Sequence, residues 1–99
     1  MKRVEVLTLV AVTETRDAIN QAVLSETSRD VYCTIKSVTR SEWVAASQRS
    51  LAPEAVAIVF HADYNGETIA ELNGIRYEIY RRFGADDYIE LYLGQRVGT

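Results

Sequence analysis

The sequence predicts a mainly β (α+β) domain, a small antiparallel β-barrel of six or seven strands with one short helix inserted near residues 41–50. Three features carry that prediction. Apolar and polar residues alternate over most of the chain, the period of strands with one buried face. Turn chemistry separates the runs, above all at Asn73-Gly74, where both residues tolerate the positive φ of a two-residue type I′ hairpin. One stretch alone, after Thr39, changes to helical spacing. Closing many short strands on themselves removes exposed edges, which favours a barrel over an open sheet.

The firmest element is a three-stranded meander over residues 64–93. After Asn73-Gly74, the positions Ile75, Tyr77, Ile79 and Arg81 alternate with Arg76, Glu78, Tyr80 and Arg82, so the first set forms the more apolar face. Gly84-Ala85-Asp86-Asp87 breaks the run. Ile89, Leu91 and Leu93 then make a new apolar face, with Glu90 and Tyr92 opposite.

Earlier in the chain, residues 4–12 are apolar on both alternating faces and rich in valine, which suits a central or barrel strand. Residues 13–20 are polar and read as a loop. Residues 21–25 read as a weak second strand and residues 26–30 as a turn, with a short helix over 16–24 as the competing assignment. A strand follows over 31–38, with Val31, Cys33 and Ile35 on one face. Thr39 and Glu42 have the spacing of a capping box. Trp43, Val44, Ser47 and Leu51 share one face of a helix over 41–50, which Pro53 is expected to stop. Residues 54–62 form the most strand-like run, a turn follows at 63–67, and residues 68–72 lead into the meander. Residues 94–99 read as a fading strand and a free tail.

With 99 residues and 47% hydrophobic content, the chain makes a single domain, residues 1–99, with a modest core. A net charge of −3 argues against a general phosphate-binding surface, which needs a basic excess. The single cysteine, Cys33, has no partner for an internal disulfide, and its apolar setting predicts a buried small hydrophobe. No run reaches membrane-spanning length, and Glu5 interrupts the N-terminal apolar run, so a soluble intracellular product is expected.

The inventory for an enzyme is bare. His61 is the only histidine and has no cluster of cysteines or carboxylates at ligand spacing, so no metal site is expected and none for a cofactor. Asp86-Asp87 suits a turn better than a divalent-cation site, because Asp is at home in turns. No phosphate-binding loop, dinucleotide fingerprint, nucleophile elbow or Ser–His–Asp set is present, so no catalytic residue is assigned. Arg81-Arg82 are expected to pair across the turn with Asp86, Asp87 or Glu90. Tyr77, Tyr80, Tyr88 and Tyr92 crowd the last hairpin, some as core and some as candidates for a protein contact surface. Trp43 is either the helix's anchor in the core or an interface residue.

Several segments, taken in order, resemble the head–tail adaptor, or head-closure (stopper), proteins of long-tailed bacteriophages and prophages. They are IKSVTRSEW at 35–43, LAPEAVAIVF at 51–60, DYNGE at 63–67, ELNGIRYEIYR at 71–81 and YIELYL at 88–93. Their order within residues 31–97 carries the resemblance, and the first thirty residues match only as an opening strand and a variable polar loop. The resemblance implies a small β-barrel with a helix, monomeric alone and assembled in the virion as a homo-oligomeric ring, a dodecamer where seen. That ring sits below the portal and adaptor, closes the DNA-filled capsid and offers the tail its attachment surface. Its implied partners are portal, adaptor and tail-completion proteins, and DNA passes through it without sequence-specific binding. Assembly in the host cytoplasm is implied, with the virion as final location. Residues 13–30 and 39–53 are the segments expected to reach the lumen or a neighbour. The alternative reading is a tail-completion protein, or another small β-barrel interaction module.

Overall fold

A computed structural model describes residues 3–48 and 51–96. Its elements are the strands β1 (Arg3–Arg16) and β2 (Ala22–Lys36), the helix α1 (Arg40–Ser47), then β3 (Leu51–Phe60), β4 (Ile69–Leu72), β5 (Ile75–Ala85) and β6 (Tyr88–Arg96). A single 3₁₀ turn, His61–Asp63, follows β3. The six strands close into an antiparallel barrel in the order β1-β2-β3-β6-β5-β4, with β4 returning to β1. Closure leaves no free edge around the ring, the outcome that strand number and turn spacing predict.

Alternation fills the interior as the sequence suggests. Leu7 and Leu9 enter from β1, Val31, Cys33 and Ile35 from β2, and Ala57 and Val59 from β3. Ala70, Leu72, Tyr77 and Ile79 meet them from β4 and β5, and Ile89, Leu91 and Leu93 from β6. Each large apolar side chain so buried contributes about 1.5–3 kcal/mol. Cys33 is buried among them, and burial foremost pushes its thiol up to about 11, the state of an inert core residue.

The turns follow their residues. Asn73 and Gly74 have φ of 54° and 80°, as a two-residue hairpin between β4 and β5 requires. The break between β5 and β6 lies at Asp86-Asp87, with Asp86 at φ 56°, so Gly84 is strand rather than turn. The carbonyl of Asp87 accepts from the His61 amide at 2.7 Å, tying this turn to the end of β3.

The largest departure from the sequence reading is the N-terminal hairpin. Residues 13–16 continue β1, and residues 22–30 belong to one unbroken strand, so neither the loop over 13–20, the turn over 26–30 nor the helix over 16–24 exists. Every residue from Arg3 to Arg16 pairs across to a partner between Ile35 and Ala22. The reversal is confined to Asp17–Gln21. There the Asp17 Oδ1 accepts from the amides of Ile19 (3.0 Å) and Gln21 (2.9 Å), and Asn20 takes a φ of 64°. Asp and Asn supply that geometry from their own side chains.

Two β-bulges bend the sheet, one between Pro53 and Ala55 and one between Ile79 and Arg81, and both lie opposite Leu93 and its neighbours. Pro53 therefore sits inside β3, at a bulge where a missing N–H is tolerated, and does not form the helix stop. α1 ends earlier, at Ser47. The second bulge inserts Tyr80 and reverses the alternation after Ile79, so Arg81 lies opposite outward-facing Tyr92 instead of on the apolar face. Arg49, Ser50 and the tail 97–99 lie outside the described residues.

Candidate functional site: a projecting arm and its anchorage

β1 leaves β4 after the Val10–Ile69 pair, while its pairing with β2 continues to Arg16. Six residues of β1 and their partners on β2 thus project beyond the barrel as a two-stranded ribbon, roughly 20 Å at the rise of a β-strand. The molecule measures 51 × 32 × 25 Å. The side-chain chemistry changes where the ribbon leaves the barrel. The face that carries Leu7 and Leu9 inside the core continues as Ala11, Thr13 and Thr15, facing Thr27, Ser25 and Val23. The Thr13 and Ser25 hydroxyls share a hydrogen bond at 2.9 Å. Polar composition here reflects exposure of both ribbon faces to water, and threonine keeps the strand propensity. Ile19 at the tip and Val12, Val23 and Leu24 along the ribbon remain exposed.

Two charge clusters fix the arm at its root. Arg29 of β2 donates from Nε to the Glu67 carboxylate at 2.9 Å and also reaches the Asp63 carbonyl. Glu67, only 6% exposed, accepts in addition from the Asn65 amide at 2.9 Å. Burial pushes its carboxyl up, but the amide bond and the Arg29 guanidinium outweigh that and hold it below the ordinary carboxylate value. Tyr64 packs on the core from the same loop, donates to the Glu67 carbonyl, and accepts from Arg82. The Tyr-Asn-Gly-Glu segment is thereby a lid on the barrel mouth at the arm's base, with Gly66 at φ 86° permitting its tight path. Further out, Arg76 of β5 forks between Glu26 on the arm (2.9 and 3.1 Å) and Glu71 on β4 (2.7 Å).

The helix is docked by a third cluster. Thr39 caps α1 by accepting from the Glu42 amide at 3.3 Å, one half of the expected capping box. The Glu42 carboxylate does not return to the cap. It lies 6% exposed, accepts from the Tyr80 hydroxyl at 2.9 Å, and pairs with Arg81. The inserted residue of the β5 bulge thus carries its phenol to the helix. Arg81 also stacks over the Tyr92 ring, 4.8 Å from its centroid, and the Tyr92 hydroxyl donates to Glu90 at 3.0 Å. Lys36 completes the chain by pairing with Glu90 at 3.0 Å. The helix accordingly buries Glu42 and Ala46, and the face bearing Trp43 and Val44 points outward, Trp43 being 50% exposed.

The residues singled out from sequence separate clearly. Asp86-Asp87 is a turn, and His61 is an exposed residue of the 3₁₀ turn. Arg81 and Arg82 do not pair across their turn with Asp86, Asp87 or Glu90, because the bulge aims one at Glu42 and the other at Tyr64. Tyr77 is core, Tyr80 and Tyr92 form the helix dock, and Tyr88 is an exposed surface residue. Sequence reasoning missed Glu42, Glu67 and Arg29 as anchors, since a buried carboxylate has no signature until its partners are placed. Among the described residues no group of three or more His, Cys, Asp or Glu could hold a metal ion. No helix among them is long and apolar enough to cross a membrane. The chain matches no protein-family model and no curated protein.

Proposed function

We propose that this chain is a structural protein of a bacteriophage virion, a head–tail connector subunit that closes the DNA-filled capsid and presents a docking surface for the tail. The observation that carries this reading is the arm. A closed barrel with a continuous projecting hairpin, rooted by Arg29–Glu67 and Arg76–Glu26 and exposing Ile19 at its tip, is built to touch something beyond its own domain. An isolated two-stranded ribbon is marginal in water, so covering it against another subunit would stabilise both. The ordered resemblance of residues 35–93 to head-closure proteins supplies the kind of neighbour: copies of the same chain in a ring under the portal and adaptor. The net charge of −3 suits a passage for DNA that must not adhere.

Binding to portal–adaptor complexes tests the proposal. The purified chain should add to them as a ring, and loss of its gene should give filled heads that leak DNA and lack tails. Failure to bind, together with tails still joined to filled heads in the deletion, overturns it. Sealed heads with tails that fail to mature would instead assign the chain to tail completion.

A further inference from the structure

We propose that the barrel mouth away from the arm binds a primary alkylammonium group, with its charge seated between Glu54 of β3 and Tyr77 of β5. The cavity there measures about 400 Å³, within the range of small-ligand sites. Ile35 of β2, Ala55 of β3, Leu72 of β4 and Ile75 of β5 give it apolar walls. The exposed residues Ser37 and Asn73 complete its lining beside the two polar groups.

Those two groups lack partners. Tyr77 is a core residue, 6% exposed, and a phenol so deeply placed ordinarily finds a hydrogen bond. Here neither its hydroxyl nor the Glu54 carboxylate has a hydrogen bond or ion pair among the described residues. Glu54 owes its position to the β3 bulge. It is the inserted residue, with Pro53 opposite Gly94 and Ala55 opposite Leu93, and a bulge re-aims the side chain it inserts. The two groups act on each other: burial first, and then the Glu54 charge, push the Tyr77 phenol above its ordinary value. Lys36 also lines the cavity, but its ammonium goes to Glu90 at 3.0 Å and leaves Glu54 without a counter-ion.

Charge and shape select the ligand. An anion would be repelled by Glu54, and a neutral apolar molecule would leave both polar groups unsatisfied. A primary ammonium carries three donors, of which the carboxylate and the phenolic oxygen accept two. Its methylene stem can lie along Ile35, Leu72 and Ile75, as charged side chains lay their stems on apolar surface. A free alkylamine and the lysine side chain of a partner protein carry this same group.

The site lies at the opposite end of the barrel from the arm, so it stands or falls apart from the connector reading. Titration of the isotope-labelled full chain with n-butylammonium chloride, followed by NMR, tests it. Resonances of Ile35, Ala55, Leu72 and Tyr77 should shift and saturate, with a Kd on the order of 1–10 mM for so small a ligand. Butanol should bind about tenfold more weakly, because it leaves the carboxylate unpaired. Glu54→Gln should weaken butylammonium about tenfold and Tyr77→Phe about threefold. Both variants should keep the wild-type melting temperature, since neither group is bonded within the fold. Binding of Nα-acetyl-lysine amide as tight as that of butylammonium assigns the site to a partner's lysine, and its exclusion assigns a free alkylamine. Absence of shifts up to about 100 mM butylammonium overturns the proposal. So does butanol binding as tight as butylammonium, or binding untouched by Glu54→Gln. A marked fall in the melting temperature of Tyr77→Phe would overturn it as well, by giving the hydroxyl a partner inside the fold.

Discussion

Glu42→Ala tests how the helix is held. The carboxylate is almost fully buried, so its two partners are the reason it can lie there. A hydrogen bond to a charged acceptor contributes roughly 1.5–3 kcal/mol, and the Tyr80 phenol, itself partly buried, gives one such bond. The Arg81 side chain is 48% exposed and regains water when freed, which limits its share to about 1 kcal/mol or less. Alanine recovers a few tenths of a kcal/mol in helix propensity. The net expectation is a loss of about 2 kcal/mol in urea unfolding, a fall of roughly 8–16 °C in melting temperature for a domain of this size. Glu42→Gln keeps an acceptor for Tyr80 and loses the ion pair, so about half that loss is expected. Hydrogen exchange should place the damage: the amides of α1 open first, while those of β1 and β6 keep their protection. A Glu42→Ala variant within about 0.5 kcal/mol of wild type, with α1 still protected, would falsify the docking role.

Other perturbations probe the turn, the lid and the exposed helix face. Gly74→Val should destabilise the domain by about 1–2 kcal/mol, because its φ of 80° strains a β-branched residue although open space surrounds the new Cβ; unchanged thermal stability contradicts the turn assignment. Glu67→Gln should lose about 1 kcal/mol at neutral pH. The Glu67 carboxyl is held below its ordinary value in the fold, so its stabilisation is complete above the unfolded value and fades as pH falls through the folded one. The gap between wild type and Glu67→Gln in acid titrations of unfolding should therefore close below pH 4.5, and a gap that widens there refutes the assignment. Trp43→Ala should leave folding nearly intact, since the ring is half exposed, and weaken binding to portal–adaptor complexes; a loss of several kcal/mol in unfolding would return Trp43 to the core.

The legible part of this fold is the part where one face is buried. Val31 to Ile35, Tyr77 and Ile79, and Ile89 to Leu93 announce their strands because each alternates against a more polar face, Leu7 and Leu9 lie in a valine-rich run apolar on both faces, and Asn73-Gly74 announces its turn by backbone chemistry. Those signals were enough for the barrel. They fail beyond the core, where a ribbon wet on both faces has no apolar period. Residues 26–30, polar and straddling the root of the arm, resemble a turn although each is paired with a residue between Val12 and Thr8. They fail again at the bulges, where one extra residue, Tyr80, reverses the alternation and sends Arg81 and Arg82 to partners far away in sequence. The helix misled for a related reason. Trp43 and Val44 look like its buried stripe, yet Glu42 is what the barrel holds, because Tyr80 and Arg81 offer a place for its charge. Anchors made from long-range charge pairs leave no trace in local sequence.

The connector reading is tested most directly on DNA-filled, tail-less heads made by a phage lacking this gene. Adding the purified wild-type chain should deposit a ring at the portal vertex, hold the genome in and restore tail attachment. A chain whose arm is cut back to a tight turn between Val10 and Ser28 should keep the barrel and do none of these. Heads that retain DNA and accept tails without the chain, or that ignore it when it is supplied, would contradict the account.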